Sequence, residues 1–198
     1  VTINATGVAL VAGTLTLAYT EATNANLTVT GTEDVTFASV NSDDADIIGI
    51  TVTTTGYTGV LTAPGTSPGF QLDNTESLVF DNAGAVMDDP ATPDVDEGSI
   101  TLGNADNAGV AGDELSEIDA SNFGATLNLG TMSDIDGSDD PAVGGGTTNA
   151  FEFTSGAGLT TMTLGEADGE SPSLEAESTW RFDYTAAAAD SSLTLTGD

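Results

Sequence analysis

Apolar and polar residues alternate singly along much of this chain. Val1-Thr2-Ile3, Leu15-Thr16-Leu17 and Leu27-Thr28-Val29 set the pattern, with Gly7, Gly13 and Gly31 between the runs. Alternation with a period of two predicts strands that bury one face. Further strands are expected at Val35-Thr36-Phe37, Ile48 to Val52, Leu78-Val79-Phe80, Phe151-Glu152-Phe153, Leu159 to Leu164 and the alternating Trp180, Phe182 and Tyr184. Loops rich in Gly, Asp and Pro are predicted between them, the longest at Met87 to Gly98, 130–149 and Glu166 to Glu177. No window carries a long apolar stripe at helical spacing, and Ala186 to Ala189 holds one helical turn at most. An all-β chain is expected.

The stretch from Ile118 to Leu129 reads as strand, turn, strand. Ser121-Asn122 is a turn pair, Phe123 is a ring suited to burial, and Leu127 and Leu129 flank polar Asn128. Val52 to Leu61 repeats the arrangement, with Gly56 and Tyr57 in place of Asn122 and Phe123. Phe182 to Leu195 is a looser copy. The anchors Leu61, Leu127 and Leu193 are equally spaced along the chain. A second element, Ile100-Thr101-Leu102-Gly103, matches Met162-Thr163-Leu164-Gly165, and Val35-Thr36-Phe37 occupies the corresponding earlier place. It precedes the turn element at a nearly constant distance in the three copies. Two elements in fixed order point to a diverged internal repeat of about 66 residues, and a repeat constrains architecture strongly.

Short strands in such a repeat suggest a β-solenoid of the parallel β-helix kind. Coils of about 20 residues place about three in each repeat. The alternative is a tandem pair of β-sandwich domains, for which a unit of this length is short, since a sandwich typically needs about 100 residues. The chain is read as one repeat array over 1–198, with approximate units 1–61, 62–127 and 128–193. The final Leu193-Thr194-Leu195-Thr196-Gly197 nearly copies Leu27 to Gly31, and the first residue is Val1. Both fit a processed protein or a segment of a longer array.

Charge changes this picture. There are 32 acidic residues against one basic residue, Arg181, for a net charge of −31. Such a chain repels itself unless cations intervene, as divalent calcium or as screening salt. Nothing is available to neutralise nucleic-acid phosphates, so nucleic acid is excluded as a partner. Anionic membrane surfaces are disfavoured for the same reason, and no apolar run is long enough to insert. Cysteine is absent, a common economy in exported surface proteins stabilised by metal or repeat stacking.

Without His, Cys or Lys, the Ser–His and Cys–His arrangements, Schiff bases and ordinary zinc sites are excluded. Paired carboxylates leave glycoside cleavage open, but nothing singles out one pair, and no enzyme is expected. Carboxylates and turn carbonyls do suit Ca²⁺, which takes six to eight hard oxygen ligands. The densest clusters are Asp134, Asp136, Asp139 and Asp140, then Asp88 and Asp89 with Asp94 and Asp96. Asp43, Asp44 and Asp46, Asp106 with Asp113, and Glu166 with Asp168 are further candidates. None forms a complete EF-hand loop. Asn4-Ala5-Thr6 and Asn26-Leu27-Thr28 fit the N-glycosylation pattern. Thr-x-Thr runs such as Thr14/Thr16, Thr51/Thr53/Thr55 and Thr194/Thr196 are read as solvent-facing strand positions ahead of a flat, ice-binding type of Thr ladder.

Leu115-Ser116-Glu117-Ile118-Asp119-Ala120-Ser121-Asn122-Phe123 resembles the Leu-x-x-Ile-Asp-Ala-Ser-Gly-Phe segments of bacterial S-layer proteins and related RTX-type surface proteins. Leu193 to Asp198 is similar to their Leu-Thr-Leu-Thr-Gly repeats. The resemblance covers about half the chain. The Gly-Gly-x-Gly-x-Asp nonapeptide is absent, and Ala108 to Leu115 is a degenerate relative of it. The resemblance implies a secreted, calcium-dependent β-solenoid at the cell surface that assembles with itself into a lattice or filament. The alternative expectation is an adhesin or carbohydrate-binding stalk, with cell-surface polysaccharide as partner and the loops at 85–98 and 130–149 as contact surface.

Overall fold

The computed structural model describes residues 1–17, 24–41, 49–63, 70–71, 77–82, 98–102, 104–106, 115, 117–133, 151–164, 182–186 and 192–197. Among these residues there are sixteen strands and no helix. In chain order they are β1 (Thr2–Ala5), β2 (Leu10–Thr16), β3 (Asn24–Gly31), β4 (Val35–Asn41), β5 (Gly49–Thr53), β6 (Leu61–Ala63), β7 (Phe70–Gln71) and β8 (Ser77–Asp81). They continue as β9 (Ile100–Leu102), β10 (Asn104–Asp106), β11 (Glu117–Asn122), β12 (Leu127–Ser133), β13 (Phe151–Ser155), β14 (Leu159–Leu164), β15 (Phe182–Ala186) and β16 (Ser192–Gly197).

Two sheets result. One has seven strands in the order β1-β3-β5-β8-β11-β13-β15, and the other has nine. In the nine-stranded sheet β2 lies on β4, followed by β6, β9, β12, β14 and β16, while β7 and β10 extend the rungs begun by β6 and β9. The chain visits the two sheets alternately. Each strand therefore pairs with the strand from the next visit, and every described pairing is parallel. The tandem-sandwich alternative calls for antiparallel pairs.

Register turns the alternating sequence into columns. In the nine-stranded sheet Leu10, Val35, Leu61, Ile100, Leu127, Thr160 and Leu193 succeed one another. In the seven-stranded sheet Ala25, Ile50, Leu78, Ile118, Phe153 and Tyr184 do the same. Residues of both columns from the middle of the stack form one buried apolar core, to which Phe80 and Phe123 add an edge-to-face ring pair with centroids 6.3 Å apart. A one-residue slip would send each of these side chains to the solvent face, so the pattern pins the register.

The even spacing of Leu61, Leu127 and Leu193 acquires a structural meaning here. Leu61 reaches Leu127 through Ile100, by a longer step and then a shorter one. Leu127 reaches Leu193 through Thr160, by two equal steps. Two pairing steps span each interval, not the three expected from coils of about 20 residues. The two matched elements are neighbours in one column rather than parts of different layers. Ile100 lines up with Leu127 and then with Thr160, so Met162 sits two residues further along the same inward face.

The strand–turn–strand reading of both copies holds. Tyr57 N–H donates to the Thr54 carbonyl at 3.0 Å, and Phe123 N–H donates to the Ala120 carbonyl at 2.9 Å, so the same turn closes both corners. Gly56 takes φ 71°, where an L side chain is strained. Gly31 has φ 112°, and a Cβ there would run into the Ala5 carbonyl of the preceding level. Levels are also tied through their corners: Asp34 Oδ1 accepts from Val60 N–H at 3.0 Å, and Asn82 Oδ1 accepts from Gly124 N–H at 2.9 Å. Two register slips, after Asp119 and after Asn128, share one device. In each the side-chain oxygen accepts the N–H two residues on, Ser121 at 2.8 Å and Gly130 at 3.1 Å, which diverts that amide from the ladder.

Truncating a column member tests this packing. Ile118→Ala is expected to lower stability by about 2–5 kcal/mol, because closely stacked levels cannot collapse into the space. Val79→Ala, at the half-buried outward position beside it, is expected to cost roughly 0.5 kcal/mol. Urea titrations followed by circular dichroism measure both, and equal midpoint shifts would contradict the assigned register.

Candidate functional surfaces

Inward positions make the core, so chemistry is left to the outward columns, the corners and the connections. The first outward column, on the nine-stranded sheet, runs Thr36, Thr62, Thr101, Asn128, Thr161 and Thr194. Parallel strands lie about 4.8 Å apart, so the stripe presents threonine hydroxyl and methyl groups at that interval, interrupted by the Asn128 amide. Of the Thr-x-Thr runs noted in the sequence, Thr194 joins this stripe, and Thr196 pairs with Thr163 in the column beside it. Thr62 and Thr101 carry no Thr-x-Thr signal and were legible only through register. The column beside the stripe runs Thr131, Thr163 and Thr196, whereas on the other side of the stripe Leu159 pairs with Ser192 and interrupts the polar run.

The second outward column belongs to the seven-stranded sheet. Glu117 pairs with Glu152, and Glu152 with Asp183. The Glu117 and Glu152 side chains are exposed, so water and salt screen two like charges held on adjacent strands. Two carboxylates fall short of the six to eight oxygens that calcium takes. Among the described residues no group of three or more acidic side chains converges in a way that would hold a metal ion.

Most of the acidic candidates read from the sequence fall elsewhere. Asp43, Asp44, Asp46, Asp88, Asp89, Asp94, Asp96, Asp113, Asp134, Asp136, Asp139, Asp140 and Asp168 lie outside the described residues, as does Glu166. Only the backbone of Asp106 is placed, in β10, at the register position shared by Gln71 and Ser133. The topology does relate their connections. Asp43 to Asp46, Asp113, Asp134 to Asp140 and Asp168 all belong to segments that leave the nine-stranded sheet for the seven-stranded one. Asp88 to Asp96 belong to a segment running the opposite way, between β8 and β9. Both glycosylation-type asparagines are exposed on strands, Asn4 in β1 and Asn26 in β3.

The polar corner was not foreseen. Thr54, Tyr57 and Asn82 are buried where the chain turns from one sheet to the other. Thr54 Oγ1, the Tyr57 hydroxyl and Asn82 Nδ2 have no hydrogen-bond partner among the described residues. Burial pushes the Tyr57 phenol from its ordinary 10.0 up to about 12; the Val35 backbone works against this without closing a hydrogen bond, and the Asp34 carboxylate adds to it. A phenol so placed stays neutral at physiological pH, so the corner offers neither base nor nucleophile. Its sequence signal is weak, because a Tyr in a turn element reads as an apolar ring.

The unfolded chain releases the Tyr57 proton near 10.0 and the folded chain near 12. Stability is therefore untouched below pH 10 and falls as pH rises from 10 through about 12. Tyr57→Phe removes this loss, and it also removes a buried hydroxyl without a partner, so its neutral-pH stability is expected to match or exceed that of the parent. Urea midpoints of both proteins at about pH 9 and about pH 11 test it, and an equal alkaline fall in the two would overturn it.

Among the described residues no helix is long and apolar enough to cross a membrane. Compared with known proteins, the chain matches no family model, no curated protein and no solved structure significantly.

Proposed function

We propose that this chain is a structural protein of the cell exterior: a β-solenoid, built from a diverged internal repeat, that assembles with its own kind into a lattice or filament. Calcium held by the acidic connections stabilises it, and it has no catalytic role. The observation that carries the reading is the unbroken in-register column from Leu10 to Leu193, threaded by a chain that alternates between two parallel sheets. Such stacking makes each level a neighbour-only unit, which suits a scaffold extended by repetition. The charge agrees with a cation requirement, because −31 with a single basic residue opposes both compaction and association until counterions enter. Surface exposure outside the cell is consistent with the absence of cysteine and with the S-layer and RTX-type resemblance of Leu115 to Phe123.

Electron micrographs and sedimentation in calcium, in chelator, and in sodium chloride of matched ionic strength test the proposal. Ordered assemblies are expected in calcium and fewer or none in chelator. Assemblies indifferent to chelation would remove calcium from the reading. A chain that stays monomeric in every condition would remove self-assembly.

A further inference from the structure

Two asparagines on the outer face of the seven-stranded sheet combine exposure with a hydroxyl at a fixed place. Asn4 in β1 is followed two residues on by Thr6, and Asn26 in β3 by Thr28, and both asparagines are exposed. In an extended strand, residues two apart project from the same face. Each amide therefore stands on the side of its threonine hydroxyl. At Asn4 the two groups touch: Thr6 Oγ1 donates to Asn4 Oδ1 at 2.6 Å. Asn82 and Asn128 differ. Each has a glycine two residues on, and each side-chain oxygen accepts a backbone N–H of the fold, from Gly124 and Gly130.

Charge is depleted around the exposed pair. Residues 1–32 hold one acidic residue, Glu21, of the 32 in the chain. The outward positions of β1, β3 and β5 are Thr, Asn and one Gly. From β8 onward the same face carries Asp81, Glu117, Asp119 and Glu152. Space is available as well. Asn4 pairs with Thr30, which lies beyond Asn26 on β3. That offset sets the two amides about 13 Å apart along the strands, so bulky substituents on both stand side by side. They extend from the outward face and leave the ladder hydrogen bonds intact.

We infer that Asn4 and Asn26 are acceptor sites for N-linked glycans, which clothe the carboxylate-poor part of the seven-stranded sheet. The inference rests on the exterior reading above, because such transfer takes place on exported chains. The co-reactant is an oligosaccharide carried on a lipid phosphate, with the transferring enzyme of the exporting cell. Asn Nδ2 forms a bond to the anomeric carbon of the sugar. The bond from that carbon to the phosphate oxygen breaks, the lipid phosphate leaves with the electron pair, and the amide loses one proton. Nothing is oxidised or reduced. A donor of this class is anionic, so it meets less repulsion at residues 1–32 than at the acidic remainder of the chain. The attached sugars then supply hydroxyl groups to a face that has no carboxylates of its own.

Protein collected from its native cells is cleaved after glutamate. Cuts at Glu21 and Glu33 place the two asparagines on different peptides, whose masses are read by mass spectrometry. Both peptides are expected to carry added mass in whole sugar residues, located on Asn4 and Asn26 by fragmentation. Thr6→Ala and Thr28→Ala are each expected to abolish the addition at their own site alone, and Thr6→Ser and Thr28→Ser to retain it. Circular dichroism of each variant is the fold control. Protease treatment of intact cells reports separately whether the chain lies outside them. Unmodified peptides from protein that the protease removes would overturn the glycan sites and leave the exterior reading standing. Unmodified peptides from protein that the protease cannot reach would remove both. Sugar on one asparagine alone keeps that site and strikes the other, and sugar retained in the alanine variants overturns the part given to the threonine hydroxyls.

Discussion

Parallel hydrogen bonding between one passage of the chain and the next is the constraint on which the other features depend. It holds Leu10, Val35, Leu61, Ile100, Leu127, Thr160 and Leu193 in a single file, and it does the same for Ala25 through Tyr184 on the facing sheet. Once the file is fixed, the sequence alternation sorts itself. Apolar residues meet between the sheets, and Thr, Asn and Glu are stacked on themselves outside. Burial of those files is the main favourable contribution to folding, and no disulfide supports it.

The same constraint explains how irregularities are accommodated. The pairing steps are uneven, short between Leu10 and Val35 and much longer between Leu61 and Ile100. Additional residues enter at the connections and leave the ladder intact, since lengthening a surface loop costs little. Where extra residues fall inside a strand, Asp119 and Asn128 absorb them by capping a local amide. The corners are less permissive. Gly31 has the Ala5 backbone against it, and the buried trio Thr54, Tyr57 and Asn82 leaves polar atoms unpaired among the described residues. Charge is treated in the opposite way from apolar surface. Most of the acidic clusters stand in the connections between sheets, while the described ladder columns carry few acidic residues.

Apolar side chains in the first and last described levels are more exposed than their counterparts in the middle. Leu10 and Leu195 occupy the same kinds of position as fully buried residues a level or two away. Stability in such architectures comes from nearest-neighbour terms, so an outer level gains about half of the contacts that an inner one gains.

How much could be read in advance is clearest from particular residues. Alternation around Leu27, Leu78, Ile118 and Phe153 was sufficient to predict strands, and the absence of helical periodicity was sufficient to predict an all-β chain. The turn at Gly56-Tyr57 and its echo at Asn122-Phe123 were legible because a ring after a turn residue is a local signal. The even spacing of Leu61, Leu127 and Leu193 was legible too, but its division was not: unequal connections make a long step and a short one look like a single unit. Thr62 and Thr101 share a stripe only because register places them there, and nothing nearby in the sequence marks it. The sequence by itself determined secondary structure, charge and the excluded chemistries, because those follow from composition and from near neighbours along the chain. Only the tertiary structure decided which residues share a column, which polar groups are buried at the corners and which apolar residues stay exposed. Those depend on pairings between residues far apart in the chain, through loops whose lengths the local pattern does not restrict.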